Sequence, residues 1–132
     1  MSLIDKLVWI HVKDKQVLCA RSHGKDIYYI PGGKREEGES DQQALMREIE
    51  EELSVRLIPE SLKFAGQFKA QAHGKPEGTL VQMTCYFGDY EGTLAANSEI
   101  EELIWLKHKD KDKTAPVGQI ILDQLKKQNL ID

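Results

Sequence analysis

Cysteine is scarce in this 132-residue sequence: Cys19 in VLCAR and Cys85 in MTCYF are the only two, and both lie inside apolar runs, where a small buried thiol is the expected role. A disulfide framework is therefore not expected, and a reducing, cytoplasmic setting is. Long apolar runs are also lacking. The longest stretch without a charged residue, Gly78 to Gly88, falls well short of the roughly 18 apolar residues that a membrane span needs. The opening MSLIDKLVWI places no basic leader before a long apolar run, so neither a membrane partner nor a signal peptide is expected. Positive charge is not in excess either: 18 Lys and Arg stand against 22 Asp and Glu, for a net charge of −4. That balance lacks the electrostatic footprint of sequence-independent nucleic-acid binding, and no nucleic-acid partner is expected. The four histidines, His11, His23, His73 and His108, have no metal-ligand spacing.

What is present is a globular composition, 40% hydrophobic and 30% charged, at a length that suits one domain with its own core, so residues 1–132 are expected to form one unit. Leu7 to Val12 and Gln16 to Ala20 read as two strands joined by a tight turn at Lys13-Asp14-Lys15. Ile27 to Ile30 reads as a short strand stopped by Pro31-Gly32-Gly33, and Lys34 to Glu39 as a loop. Ser40 and Gln43 have the spacing of a capping box, and Leu45, Ile49 and Leu53 recur every four residues, which predicts a helix from about Asp41 to Leu53. Extended runs follow at Phe64 to Ala72 and Thr79 to Tyr86, then a loop over Gly88 to Ser98 and a last strand at Ile104 to Leu106. Pro116 opens a second helix with an apolar face of Val117, Ile120, Ile121 and Leu125. The order β-β-β-α-β-β-β-α predicts an α+β fold, an α/β/α sandwich in which helices pack on the faces of a mixed sheet.

The first helix carries the chemistry. At 100° per residue, Glu48, Glu51 and Glu52 span only about 100° of arc beside the apolar stripe. Like charges at i,i+3 and i,i+4 work against a helix by roughly 0.2–0.5 kcal/mol per pair unless cations sit between them. Mg²⁺ or Mn²⁺ suits such a set, since hard divalent ions take carboxylate oxygens and complete their shell with water and phosphate. The preceding loop, PGGKREEGES, adds glycines that admit close backbone approach and leads into a helix N-terminus, which favours anions.

Gly33, Glu39 and the run Arg47-Glu48-Ile49-Glu50-Glu51-Glu52-Leu53-Ser54-Val55 together resemble the box motif of the Nudix hydrolases. That motif is a glycine, five residues, a glutamate, seven residues, Arg-Glu, an aliphatic residue, any residue, Glu-Glu, any residue, glycine and an aliphatic residue. Ser54 is the departure, standing where the motif has glycine. A left-handed serine there would cost roughly 1 kcal/mol. The resemblance implies a Mg²⁺-dependent hydrolase, with Mn²⁺ as a possible substitute. It would cleave the diphosphate linkage of a nucleoside diphosphate joined to another group by water attack on phosphorus, for example a nucleoside triphosphate to the monophosphate.

Carried over by position, Glu48, Glu51 and Glu52 are the expected metal ligands with the Gly33 carbonyl, and Glu48, Glu52 and Arg47 the expected catalytic set. Glu48 is either a ligand or the general base, and Arg47 holds a catalytic glutamate in place. Glu39 acts through the metal shell or water, on the substrate side with Lys34 and Arg35, which stand beside the glycines and could contact phosphate. Outside the motif, Glu99, Glu101 and Glu102 are candidates for an additional carboxylate, and His73 and Lys75 for substrate contact. Tyr28, Phe68 and Tyr86 could stack a base. The expected partner is a small nucleotide, and the protein a monomer or homodimer. Two other readings are open: a non-catalytic Nudix-like module that binds a nucleotide or metabolite, and a structural acidic domain whose helix tolerates removal of its charges.

Overall fold

A computed structural model describes residues 2–132. In chain order its strands and helices are β1 (Ser2–Ile10), β2 (Val12–Lys13), β3 (Gln16–Ser22), β4 (Gly32–Lys34), α1 (Asp41–Leu53), β5 (Arg56–Leu57), β6 (Lys63–Gln71), β7 (Thr79–Phe87), β8 (Tyr90–Glu91), β9 (Ile100–Leu106) and α2 (Pro116–Lys127). Short 3₁₀ turns occupy Pro59–Ser61 and His108–Lys113.

The strands form a four-stranded sheet in the order β4-β1-β7-β6, a three-stranded sheet β2-β3-β9 and a small ribbon β5-β8. β1 runs parallel to β7 and antiparallel to β4, so the larger sheet is mixed. The C-terminal half of β1 is buried on both faces, the signature of a strand covered from two sides. Leu7 and Trp9 join Leu18 against Leu45, Ile49 and Leu53 of α1. Val8 and Ile10 join Val17, Cys19 and Cys85 against Val117, Ile121, Leu122 and Leu125 of α2. The period-2 alternation of the strands thus feeds one core on each side, and the expected α/β/α layering holds. Both thiols are fully enclosed, and burial pushes each up to about 12, so they are packing groups.

Local structure differs from the sequence expectation at the opening hairpin, at Ile27–Ile30, in the Gly88–Ser98 loop and on the apolar face of α2. The opening hairpin consists only of β2 and the start of β3, around a turn in which Asp14 and Lys15 both have positive φ (53° and 64°). β1 is not part of it: with two buried faces it lies between β4 and β7 instead. Ile27–Ile30 forms only isolated bridges, Tyr29 to Ala20 and Tyr28 to Thr114, while a strand forms just after it, at the two glycines. β8 interrupts the expected loop. On α2 it is Leu122 that completes the apolar face, and Ile120 is 40% exposed.

Candidate active site

α1 begins where the capping box predicts: the Ser40 hydroxyl accepts from the Gln43 amide at 3.1 Å and the Gln43 side chain accepts from the Ser40 amide at 2.9 Å. With Leu45, Ile49 and Leu53 fully buried, the helix is locked in rotation, and Glu48 and Glu52 face the β4–β1 edge of the sheet. The two glycines of β4 make that approach possible. A Cβ on Gly33 would overlap the Glu48 carboxylate, and one on Gly32 would strike the Leu7 carbonyl and lie 2.7 Å from the Val8 Cα. The result is a cleft of about 340 Å³ lined by Lys6, Ser22, Tyr29, Gly32, Gly33, Lys34, Glu48, Glu52 and Glu99.

Glu52 is the most unusual group in the cleft. It is only 5% exposed, and its Oε1 atom is buried with no hydrogen-bond partner. Burial, then the neighbouring Glu48 and Glu99 charges, push its carboxyl up to about 8 against the opposing pull of the Gly32 backbone and Lys6. Glu48 is held from behind by Arg47, whose Nη1 donates to Glu48 Oε1 at 2.8 Å. The same guanidinium grips Glu39 with two bonds, Nε to Oε2 at 2.7 Å and Nη2 to Oε1 at 2.8 Å, and Nη2 also reaches the Lys34 carbonyl at 3.1 Å. Those bonds, with the Glu36 amide, hold the Glu39 carboxyl down at about 2.

Several sequence candidates are placed elsewhere. Glu51 does not line the cleft. Its side chain is 55% exposed and 3.5 Å from Arg47. Arg35 is engaged by Asp5 (3.1 Å), Asp41 (2.6 Å) and the Glu39 carbonyl (3.2 Å), so its nitrogens brace the loop before α1. Glu102 accepts from Tyr28 at 2.7 Å and Arg21 at 2.9 Å, and Glu101 also pairs with Arg21, so both are tied down outside the cleft. Glu99 does reach it. The loop before β9 is tied to the end of α1 by Ala95 N–H to the Leu53 carbonyl and Asn97 N–H to the Glu52 carbonyl, both 3.0 Å. His73 and Lys75 line a second cavity of about 510 Å³ together with Lys25. Its buried wall is Val81, Met83 and Val117. Of the aromatics singled out for stacking, Tyr28 and Tyr86 spend their hydroxyls on Glu102 and Asp41, and neither they nor Phe68 line either cavity.

Tyr29, Ser22 and Lys6 line the cleft and escape the sequence reading. Tyr29, hydrogen-bonded to Ser22 at 2.8 Å and pushed up to about 12 by burial, lines both cavities. Lys6 also lines both, and burial followed by the charge of Lys34 lowers its ammonium. A signal for Lys6 exists: it stands in step with Ile4, Val8 and Ile10, a lysine on the inward face of a strand.

The donor set suits a hard divalent cation: Glu48 and Glu52 line the cleft beside the Gly33 backbone, and the bare Glu52 Oε1 lacks any partner of its own. The carboxylates are spaced around the cleft rather than closed on one point. Among the described residues no three His, Cys, Asp or Glu side chains form a ready cluster.

Comparison with known proteins agrees with this geometry. The NUDIX domain family profile matches residues 5–125. The CTP pyrophosphohydrolase of Escherichia coli K12 is 29% identical over 110 residues, 80% of this chain and 76% of that protein. The solution structure of the E. coli ORF135 protein superposes with a TM-score of 0.75 at 25% identity, covering 100% of this chain and 96% of that one. A MutT NUDIX hydrolase from Burkholderia pseudomallei does so with a TM-score of 0.75 at 21% identity, over 95% and 99% of the two chains.

Proposed function

The chain belongs to the Nudix hydrolase family and is a pyrophosphohydrolase, and from that premise we propose that it cleaves a nucleoside triphosphate to the monophosphate and diphosphate with Mg²⁺, or Mn²⁺, in the acidic cleft. The observation that carries this reading is the enclosed Glu52 carboxylate, one of whose oxygens, Oε1, has no hydrogen-bond partner, in a cleft whose backbone wall is two glycines.

A bound divalent cation would offset the charge of the diphosphate and lower the pKa of an attacking water. Glu48, Glu52 and the Gly33 carbonyl would hold it, and Glu51, which lies outside the cleft lining, would be a further ligand. Arg47 and Glu39 fix the Glu48 carboxylate from outside the cleft. Lys34 faces the phosphates from β4. Water adds to phosphorus as the bridging P–O bond breaks, its proton passes to Glu48 or Glu52, with Glu99 as the third carboxylate within the cleft, and the bridging oxygen leaves with the diphosphate. The second cavity, apolar on its inner wall and joined to the cleft at Lys6 and Tyr29, seats the nucleoside, with His73 at its exposed edge. A cytidine nucleotide is the first substrate to try, since the E. coli relative is a CTP pyrophosphohydrolase. No described helix is long and apolar enough to cross a membrane.

The test is product release from a panel of nucleoside triphosphates and diphosphate conjugates, with Mg²⁺ and with EDTA, for wild type and Glu52→Gln. Metal-dependent turnover that falls about 100- to 10,000-fold in the folded variant is the expected result. A folded, Mg²⁺-binding wild type that is silent across the panel would overturn the hydrolase in favour of a nucleotide-binding module.

A further inference from the structure

Resting on that reading of the site, we infer that Lys6 is a substrate-binding residue that contacts the phosphate nearest the nucleoside, at the point where the two cavities meet. Alternate residues of β1, Ile4, Val8 and Ile10, pack into the core beneath α2, and Lys6 occupies the same face between them. An ammonium at such a position is costly unless it has an anion. Among the described residues Lys6 makes no ion pair within 4 Å and no side-chain hydrogen bond, and the carboxylates of Glu52, Glu48 and Glu99 act on it only across the cleft. Directly across the ladder it faces Lys34, which lines the same cleft. Like charges placed opposite one another on a sheet are unfavourable.

Lys6 and Lys34 are neighbours across the β1–β4 ladder, and Glu48, Glu52 and Glu99 complete the lining of the cleft with no ion pair closed between the two signs. A ligand that satisfies both sets carries positive charge toward the carboxylates and negative charge toward the lysines, as a cation-bound diphosphate does. Of the two lysines, Lys6 alone also lines the apolar cavity. A chain of phosphates that enters the cleft from a nucleoside in that cavity therefore meets Lys6 first. The recognised chemistry is a phosphate oxygen. A base carbonyl in the apolar cavity is the competing contact, and a probe without a base separates the two.

The experiment measures, by calorimetry in Mg²⁺, the affinities of inorganic pyrophosphate and of an α,β-methylene cytidine triphosphate for wild type, Lys6→Met and Lys6→Arg. Lys6→Met is expected to weaken both probes about tenfold or more, Lys6→Arg to keep most of the affinity, and Mg²⁺ alone to bind Lys6→Met no less tightly than wild type. The melting temperature of Lys6→Met should be no lower, because an unbranched apolar side chain suits the Ile4–Val8 stripe. If that variant does not fold, Lys6→Gln takes its place. Unchanged pyrophosphate affinity with weakened nucleotide affinity would overturn the assignment in favour of a base contact, and weakened Mg²⁺ affinity would overturn it in favour of a role in placing the carboxylates. Binding is read on probes that are not turned over, so a wild type that binds them without hydrolysing any nucleotide would count against the hydrolase and leave Lys6 to be judged by its own affinities.

Discussion

Arg47 grips Glu39 through two parallel hydrogen bonds of 2.7 and 2.8 Å while its third nitrogen holds Glu48 at 2.8 Å, so one guanidinium joins the loop before α1 to a carboxylate inside the cleft. The arrangement uses the planar fork of arginine, which an ammonium cannot reproduce. Arg47→Lys is expected to keep the fold and to lower kcat or Mg²⁺ affinity about 10- to 100-fold, the usual cost of losing a group that orients a metal-binding side chain. Steady-state kinetics over a Mg²⁺ titration check this. A lysine variant with wild-type kinetics at all metal concentrations would reduce Arg47 to a surface ion pair.

Glu52 makes stability depend on pH in a direction opposite to that of an ordinary carboxylate. Its folded-state pKa is raised to about 8 from 4.5, by burial first and then by Glu48 and Glu99. Between those values the folded protein holds a proton that the unfolded chain has released. Stability from this group is therefore complete below about pH 4.5 and is lost as pH rises toward 8. In EDTA, Glu52→Gln should be more stable than wild type at pH 7 by about 2–3 kcal/mol, and the gain should shrink toward zero near pH 4.5. Mg²⁺ should stabilise wild type more than the variant, since it binds the ionised carboxylate. Urea denaturation at the two pH values, with and without metal, measures all three differences. A glutamine variant no more stable than wild type at pH 7 would show that the carboxylate is not desolvated in the folded protein.

What was legible in the sequence follows how local its cause is. α1 runs from Asp41 to Leu53 as the capping box and the Leu45-Ile49-Leu53 spacing dictate, because both signals act within one or two turns. The two glycines and the carboxylates of the helix come together because the same loop and helix carry them. The pairing of β1 is not legible because its partners, β4 and β7, lie at a distance in sequence, and an apolar run buried on both faces does not name its neighbours. The sequence offers Arg35 as a phosphate contact and Glu102 as an additional carboxylate, yet each is engaged by groups from distant segments, Asp5 for one and Arg21 for the other. Lys6 is the converse case: its charge disguises a core-facing position on β1.

Ser54 occupies a left-handed conformation, φ 64° and ψ 19°, at the end of α1, where its amide donates to the Glu50 carbonyl at 3.1 Å. This is the position at which the family motif has glycine, and the backbone shows why, since a residue with a Cβ is strained there and glycine is not. Ser54 is exposed, so its side chain gains little in return. Ser54→Gly should therefore stabilise the protein by about 0.5–1 kcal/mol, and Ser54→Val, with a branched Cβ, should destabilise it by a similar amount or more. Denaturant midpoints at unchanged m-value report the difference directly. Because Glu48 and Glu52 are oriented by the buried stripe of the helix rather than by its cap, kcat of the glycine variant should stay within about twofold of wild type. A glycine variant that is less stable would show that serine makes a compensating contact at the helix end. A glycine variant with sharply higher kcat would show that strain at the end of α1 is felt at Glu52, two residues away, and that the serine limits catalysis as well as stability.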